Sequence, residues 1–116
     1  MDKESVADCL IASPVIAATD KKAWASAVES DAKVLFHLNA GLFGVKRDIA
    51  LAKEKGKTVF VHIDLTDGIG KDSSGLLYLK KVGADGIIST RANLIKSASE
   101  LGLLTVQRFF ALDSKS

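Results

Sequence analysis

The stretch VFVHIDL, Val59 to Leu65, decides the fold class predicted for this chain. Its β-branched and aromatic residues form a short continuous apolar run, which is typical of a parallel strand covered on both faces. Similar runs alternate with segments at helical spacing, and this alternation predicts βα units around a parallel sheet. The other four runs are PVIAA (14–18), VLFHLNA (34–40), GIIST (86–90) and LLTVQRFF (103–110).

A helix is predicted after each of the first four strands, because each intervening segment carries a start or a stop signal. Asx and hydroxyl residues favour the N-cap of a helix, and glycine favours the position just beyond its end. The predicted helices run from about Asp20 to Ser30, from Val45 to Lys55 before Gly56, from a cap among 72–74 to Val82 before Gly83, and from Arg91 to Leu101 before Gly102.

Repeating βα units of roughly 20 to 25 residues are typical of a TIM barrel, whose eight units need on the order of 200 residues or more. The 116 residues hold five such units, so we expect a single α/β domain that is TIM-barrel-like, with five of the eight units. Two interpretations stay open: a small open sheet complete in itself, or the first part of a barrel. In the second case a partner chain or a further segment has to cover the outer strand edges.

Composition and charge exclude some functional classes and leave others open. A net charge of +2 is mild, and no run of five basic residues marks a nucleic-acid surface, although Lys53, Lys55 and Lys57 are a candidate. The single cysteine, Cys9, rules out an intramolecular disulfide and a cysteine-based metal site. The N-terminus has neither a secretion signal nor a membrane span, so we expect a cytoplasmic location without membrane contact.

Two polar side chains interrupt VFVHIDL, and both lie on the same parity. Successive residues of a strand alternate between its faces, so Phe60, His62 and Asp64 are predicted to face the barrel interior. Asp64 is nearest the carboxyl end, where barrels assemble their ligand sites, and its acceptor-only carboxylate suits a ligand hydroxyl. His62 is equally compatible with a ligand contact and with a neutral core histidine paired to a neighbouring strand.

The second and fifth strands add further candidate contacts. His37 and Asn39 repeat the polar parity of the third strand and are also predicted to face the interior. Asn39 can serve a polyol hydroxyl or simply shape a turn. Arg108 offers a fork of donors to a phosphate, unless it pairs with an acidic group such as Asp113, and the adjacent Gln107 faces the opposite way.

Anion contacts are predicted in two loops. Ser89 and Thr90 precede the fourth helix, where backbone N–H groups can take a phosphate oxygen, although Thr90 can equally cap that helix. The loop TDGIGKD (66–72) lacks the spacing of a P-loop or a dinucleotide fingerprint, so we expect a loop over the barrel mouth with Lys71 as an anion contact. The predicted ligand-binding residues are Asp64, His62, Asn39, Ser89, Arg108 and Lys71, with no catalytic residue, metal ligand or cofactor.

Several of these segments, read together, resemble the family of glycerol-3-phosphate-responsive antiterminators, which regulate glycerol uptake operons. They are HIDLTDGIGKD (62–72), GADGIIST (83–90), NLIKSASELGLLTVQRFF (93–110) and PVIAA (14–18). The similarity is colinear from about Pro14 to Ser114, and it is weaker around the second strand. The resemblance implies a TIM-barrel-like fold, binding of glycerol 3-phosphate without catalytic turnover, and binding of leader mRNA that lets transcription pass a terminator. The phosphate site of such barrels usually follows the seventh and eighth strands, outside these five units.

Three functional hypotheses follow. The leading one is a non-enzymatic regulator that binds glycerol 3-phosphate and leader mRNA, with a homo-oligomer as one way to couple the two events. The second is a small barrel enzyme acting on a phosphorylated triose or polyol, with Asp64 or His62 as general base and Lys71 as an electrophilic or anion-binding group. The third is a half-barrel that is stable only as a dimer and has no activity.

Overall fold

The structure is a computed structural model that describes residues 16–19 and 22–108. A parallel sheet has the strand order β1-β2-β3-β4-β5, and each strand is hydrogen-bonded to the next one along the chain. The strands are β1 (Ile16–Thr19), β2 (Val34–His37), β3 (Thr58–His62), β4 (Gly86–Ser89) and β5 (Leu104–Gln107). All five predicted strands are therefore confirmed, although each is shorter than its apolar run.

Helices follow the first four strands, which confirms the predicted βα alternation. They are α1 (Trp24–Glu29), α2 (Val45–Glu54), α3 (Ser73–Lys81) and α4 (Ala92–Glu100), with a short 3-10 helix at Ile63–Leu65 after β3. The predicted stops at Gly56, Gly83 and Gly102 all have positive φ, which glycine adopts without steric cost. The Asp72 carboxylate accepts a hydrogen bond from Gly75 N at 3.0 Å and caps α3 as predicted, whereas the expected Asp20 cap lies outside the described residues.

The sheet buries a different set of side chains on each face. One set of alternating residues packs against the helices in the main core, and it includes Leu35, Val59, Val61, Ile63 and Ile87. The opposite set forms a second, smaller apolar cluster on the inner face of the sheet, where Phe36 and Phe60 meet edge to face with ring centroids 5.4 Å apart. The inner cluster consists of Val34, Phe60 and Ile88, with Phe36, Leu104 and Val106 packed against it.

His37 faces the helix layer, so the prediction that it looks into the interior is wrong. Its ring is fully buried, stacks on Trp24 with centroids 4.4 Å apart, and places Nε2 2.8 Å from Asp48 Oδ2. The register gives the reason, because β2 aligns Phe36 with Phe60, which puts the even-numbered residues of both strands on the inner face. Matching polar residues between strands assigned the wrong face to His37.

The three lysines proposed as an RNA surface contact their own protein instead. Lys53 pairs with Asp85 at 2.7 Å and Lys55 lies 3.6 Å from Glu29, while Lys57 donates to the backbone oxygens of Ser30 and Ala32. These contacts tie the end of α2 and the start of β3 to neighbouring loops at the amino end of the strands. Within the described part of the chain, every helix is too short or too polar to cross a bilayer.

Candidate functional site

Asp64 lies in the turn that follows β3 and joins it to the carboxyl end of β4. Its Oδ1 accepts a hydrogen bond from Ser89 Oγ at 2.7 Å, and its Oδ2 accepts two from Thr90, the backbone N at 2.8 Å and Oγ1 at 2.7 Å. A carboxylate has about four lone-pair sites, so three donors leave room for about one more at Oδ1. The side chain is thus held in place and keeps capacity for one ligand hydroxyl.

The environment of Asp64 keeps its carboxylate ionised. Burial on its own raises the pKa, but the hydrogen bonds from Thr90 and Ser89, together with the nearby His62 ring, outweigh burial and lower the pKa below its usual value. Asp64 is therefore a fixed negative charge at neutral pH and accepts hydrogen bonds without donating any.

His62 is the last residue of β3 and belongs to the inner face, since Val61 and Ile63 on either side pack into the helix-facing core. Only 3% of the residue is exposed, yet its Nδ1 has no hydrogen-bond partner in the described part of the chain. Burial lowers the pKa of His62, and the positive charge of Arg108 lowers it further, against the opposite pull of Asp64. The ring is therefore neutral near pH 7, with one buried nitrogen that makes no hydrogen bond within the described residues.

Arg108 follows β5 and has the same parity as Leu104 and Val106, whose side chains pack in the inner cluster. Its backbone N donates to Ser89 O at 2.9 Å, which continues the pairing of β5 with β4 to the carboxyl edge. The exposed guanidinium is close enough to lower the pKa of His62. Three of the predicted residues, Asp64, His62 and Arg108, thus gather at one edge of the sheet, as parallel strands with matched ends allow.

Ser89 and Thr90 hold the Asp64 carboxylate in place by hydrogen bonds. The backbone N–H groups of Thr90 and Arg91 are therefore not available for the predicted phosphate contact. Thr90 N donates to Asp64, and Arg91 N donates to Ser89 Oγ at 2.9 Å. Thr90 does not cap α4 either, because the N-cap of that helix is Arg91 and the Thr90 hydroxyl is used on Asp64.

The remaining two predicted residues, Asn39 and Lys71, are both exposed. Asn39 is exposed in the bend after β2, where the strand has already ended, which agrees with its role in shaping a turn. Lys71 is exposed in the loop before α3, and its Nζ lies 3.3 Å from Thr66 O, so its contact is to the loop itself.

The partnership of Asp64 with Ser89 and Thr90 was not predicted, although all three residues had been singled out. The missing signal is the register, since residues at the ends of adjacent parallel strands meet only when both strands stop at the same level. His62 aligns with Ile88, which places Ser89 and Thr90 one and two residues beyond the level of His62. Within the described residues, no cluster of three or more His, Cys, Asp or Glu side chains forms a metal site.

The lowered pKa of His62 predicts a pH-dependent stability. Because the unfolded protein binds this proton more readily, stability should rise with pH up to about 6.5, the pKa of an unperturbed histidine, and stay level above it. His62→Gln is expected to remove that rise. The free energy of unfolding from urea titrations between about pH 5 and 8 measures it.

Arg108→Gln is a matched control for this prediction. It removes a positive charge that lowers the pKa of His62, so it should narrow the pH range of the rise without abolishing it. If the free energy of unfolding changed with pH in the same way in the wild-type protein and in His62→Gln, a buried neutral imidazole at position 62 would be ruled out.

The fold and the site define a TIM-barrel-like βα protein whose polar side chains gather at the carboxyl ends of its strands, where such folds bind ligands. The model of one protein family, described as glycerol-3-phosphate responsive antiterminator, matches residues 15–116. The chain belongs to this family.

Individual relatives agree with the family assignment. The crystal structure of a glycerol uptake operon antiterminator-related protein from Thermotoga maritima matches this chain with a TM-score of 0.75. The two sequences are 38% identical, and the match covers 86% of this chain and 57% of that one. The glycerol uptake operon antiterminator regulatory protein from Listeria monocytogenes is 30% identical, with a TM-score of 0.79 over 90% of this chain and 58% of that one. The uncharacterized Escherichia coli protein YgcP is 34% identical over 105 residues, 89% of this chain and 55% of that protein. The chain thus spans somewhat more than half the length of these relatives.

Proposed function

We propose that the protein is a non-enzymatic regulator in the cytoplasm that binds glycerol 3-phosphate at the carboxyl ends of β3 to β5. The observation that carries this proposal is the grouping of a fixed carboxylate, an unpartnered buried imidazole nitrogen and an exposed guanidinium at one edge of the sheet. These groups match the ligand, since Arg108 can hold the phosphate by two parallel hydrogen bonds while His62 and Asp64 take the glycerol hydroxyls.

The second part of the proposal is that the protein binds leader mRNA of glycerol uptake genes and lets transcription pass a terminator. The family assignment supports it, together with the names of the Thermotoga and Listeria relatives. Linkage supplies the mechanism: if glycerol 3-phosphate binds one conformational or oligomeric state more tightly, and that state also binds RNA more tightly, each ligand strengthens the other.

The structure offers a physical connection between the ligand site and a neighbouring loop. Asp67 comes three residues after Asp64, and its backbone N donates to Ala40 O at 2.9 Å while its carbonyl accepts from Leu42 N at 2.9 Å. The loop before α2 is therefore bonded to the segment that carries Asp64. A ligand that shifts this segment would shift the other loop with it.

The enzyme hypothesis receives no comparable support. It needs Lys71 beside the reacting groups, and the lysine instead contacts Thr66 in its own loop. None of the described strands carries a lysine.

Electrophoretic titration of leader RNA, with and without glycerol 3-phosphate, tests the proposed function. We expect saturating effector to tighten RNA binding by about 5- to 150-fold, the range of ordinary allosteric coupling. Glycerol and inorganic phosphate, added separately, should have little effect, because each makes only part of the contacts. An RNA affinity that is the same with and without glycerol 3-phosphate would reject the coupling.

A further inference from the structure

The loop between β2 and α2 carries an aromatic side chain that folding does not use. Phe43 is 100% exposed, in contrast to the other aromatic residues of the described chain. Trp24, Phe36, Phe60 and Tyr78 are all buried or half-buried. Leu42, beside Phe43, is 37% exposed, so two adjacent large apolar side chains lie on the surface of this loop.

Two cations follow Phe43 at positions that helix stability does not favour. Lys46 and Arg47 are exposed in the first turn of α2, where the partial positive charge of the helix dipole repels them. The N-cap residue is Gly44, which provides no side-chain hydrogen bond. Neither side chain forms an ion pair within the described residues, whereas Lys53 at the other end of the helix pairs with Asp85. A bound anion would stabilise both cations at this end.

The surface around Phe43 is also concave on one side. Leu42, the preceding residue, lines a cavity of about 170 Å³ together with Ser74 and Tyr78, whose hydroxyl groups can donate or accept. The same cavity is lined by backbone of Gly68 and Gly70.

We propose that Phe43, Lys46 and Arg47 form the surface on which this protein holds a single-stranded segment of RNA. This inference rests on the proposed function and adds the contact site. One base stacks on the Phe43 ring, and the two cations contact the phosphates beside it, which is the combination that single-strand binding uses. The charge of Lys46 and Arg47 favours RNA over an apolar protein partner. The backbone hydrogen bond from Leu42 to Asp67 joins this loop to the segment that carries Asp64. This bond would couple binding of the effector to binding of the RNA.

The test measures binding of fluorescein-labelled leader RNA to the full-length protein by fluorescence anisotropy, with four variants. Phe43→Ala and Phe43→Leu should both weaken binding by about 5- to 150-fold, the loss of one base stack. Phe43→Trp should retain most of the affinity, because an aromatic face is still present. Leu51→Ala, a matched change at an exposed leucine on α2, should have no effect.

Salt dependence provides a second readout that misfolding would not imitate. The double variant Lys46→Gln, Arg47→Gln should reduce the slope of log affinity against log salt by about 1.4, the loss of two single-strand phosphate contacts. Lys96→Gln, an exposed lysine on α4, should leave the slope unchanged. Calorimetric titration should show the same glycerol 3-phosphate affinity for Phe43→Ala as for the wild-type protein, which establishes that the variant is folded.

The outcomes separate this inference from the proposed function. If Phe43→Ala binds leader RNA as tightly as the wild-type protein does, the contact site is wrong and the proposed function stands. If the variant loses self-association while its RNA affinity is unchanged, the surface joins copies of the protein and does not bind RNA. If the wild-type protein itself binds no leader RNA, both the inference and the RNA part of the proposed function are overturned.

Discussion

Asp64→Ala is expected to weaken glycerol 3-phosphate binding by about 10- to 150-fold, the value of one hydrogen bond to a charged group. It should also lower the free energy of unfolding by about 2 to 4 kcal/mol, since Ser89 Oγ, Thr90 N and Thr90 Oγ1 lose their acceptor in a partly exposed site. Isothermal titration calorimetry and urea unfolding measure the two effects separately.

Asp67→Ala controls for the loss of one negative charge in the same loop. Its side chain is exposed, so both ligand affinity and stability should remain near the wild-type values. The stability that Asp64 contributes also has a defined pH dependence. Because its pKa is lowered in the folded protein, the contribution is fully present above about pH 4 and is lost as the pH falls through the lowered pKa. Wild-type affinity in Asp64→Ala would exclude the carboxylate from the ligand site.

Asp48→Ala is expected to cost about 2 to 4 kcal/mol of stability and to leave glycerol 3-phosphate binding unchanged. The substitution removes the partner of the fully buried His37 ring and an acidic residue from the first turn of α2. Trp24 is the single tryptophan, is buried and stacks on His37, so its fluorescence reports the unfolding transition directly.

A double-mutant cycle of His37→Phe and Asp48→Ala isolates the pair. We expect a coupling energy of about 1 to 3 kcal/mol, because the two side chains share one buried hydrogen bond. A coupling near zero would contradict the hydrogen bond between His37 and Asp48. A loss of ligand affinity in Asp48→Ala with stability intact would place the pair at the ligand site and contradict the face assigned to His37.

The order of elements was predictable from sequence because each has a strong local signal. Apolar runs marked the strands, and the glycines at 56, 83 and 102 marked the helix ends, where a left-handed backbone is needed. Strand parity within VFVHIDL also placed His62 on the inner face, since its neighbours Val61 and Ile63 pack in the helix-facing core.

The error at His37 shows what strand parity alone leaves undetermined. Periodicity says that two residues share a face, but the register to the next strand decides which face it is. In β2 both alternating sets contain large apolar residues, so the sequence did not distinguish the helix-facing set from the inner set. The imidazole is bonded through Nε2 to the buried carboxylate of Asp48 on α2, and a contact between separate elements leaves no local sequence signal.

The candidate site was predictable as a set of residue types and less so as a set of contacts. Asp64, Ser89 and Thr90 had each been singled out, yet their mutual hydrogen bonds depend on β3 and β4 ending at the same level. Phe43 was not singled out at all, because an apolar residue next to a strand is ordinarily expected to be buried. Only the structure shows that its ring is exposed.

The most direct test of the central claim is the ¹⁵N NMR signal of the histidine rings during titration with glycerol 3-phosphate. The protein has two histidines, one on each face of the sheet, so His37 serves as an internal control for His62. The ring nitrogens of His62 should shift in proportion to ligand saturation while those of His37 stay in place. Saturable binding that leaves the His62 signals unmoved would contradict a ligand site at the carboxyl ends of β3 to β5.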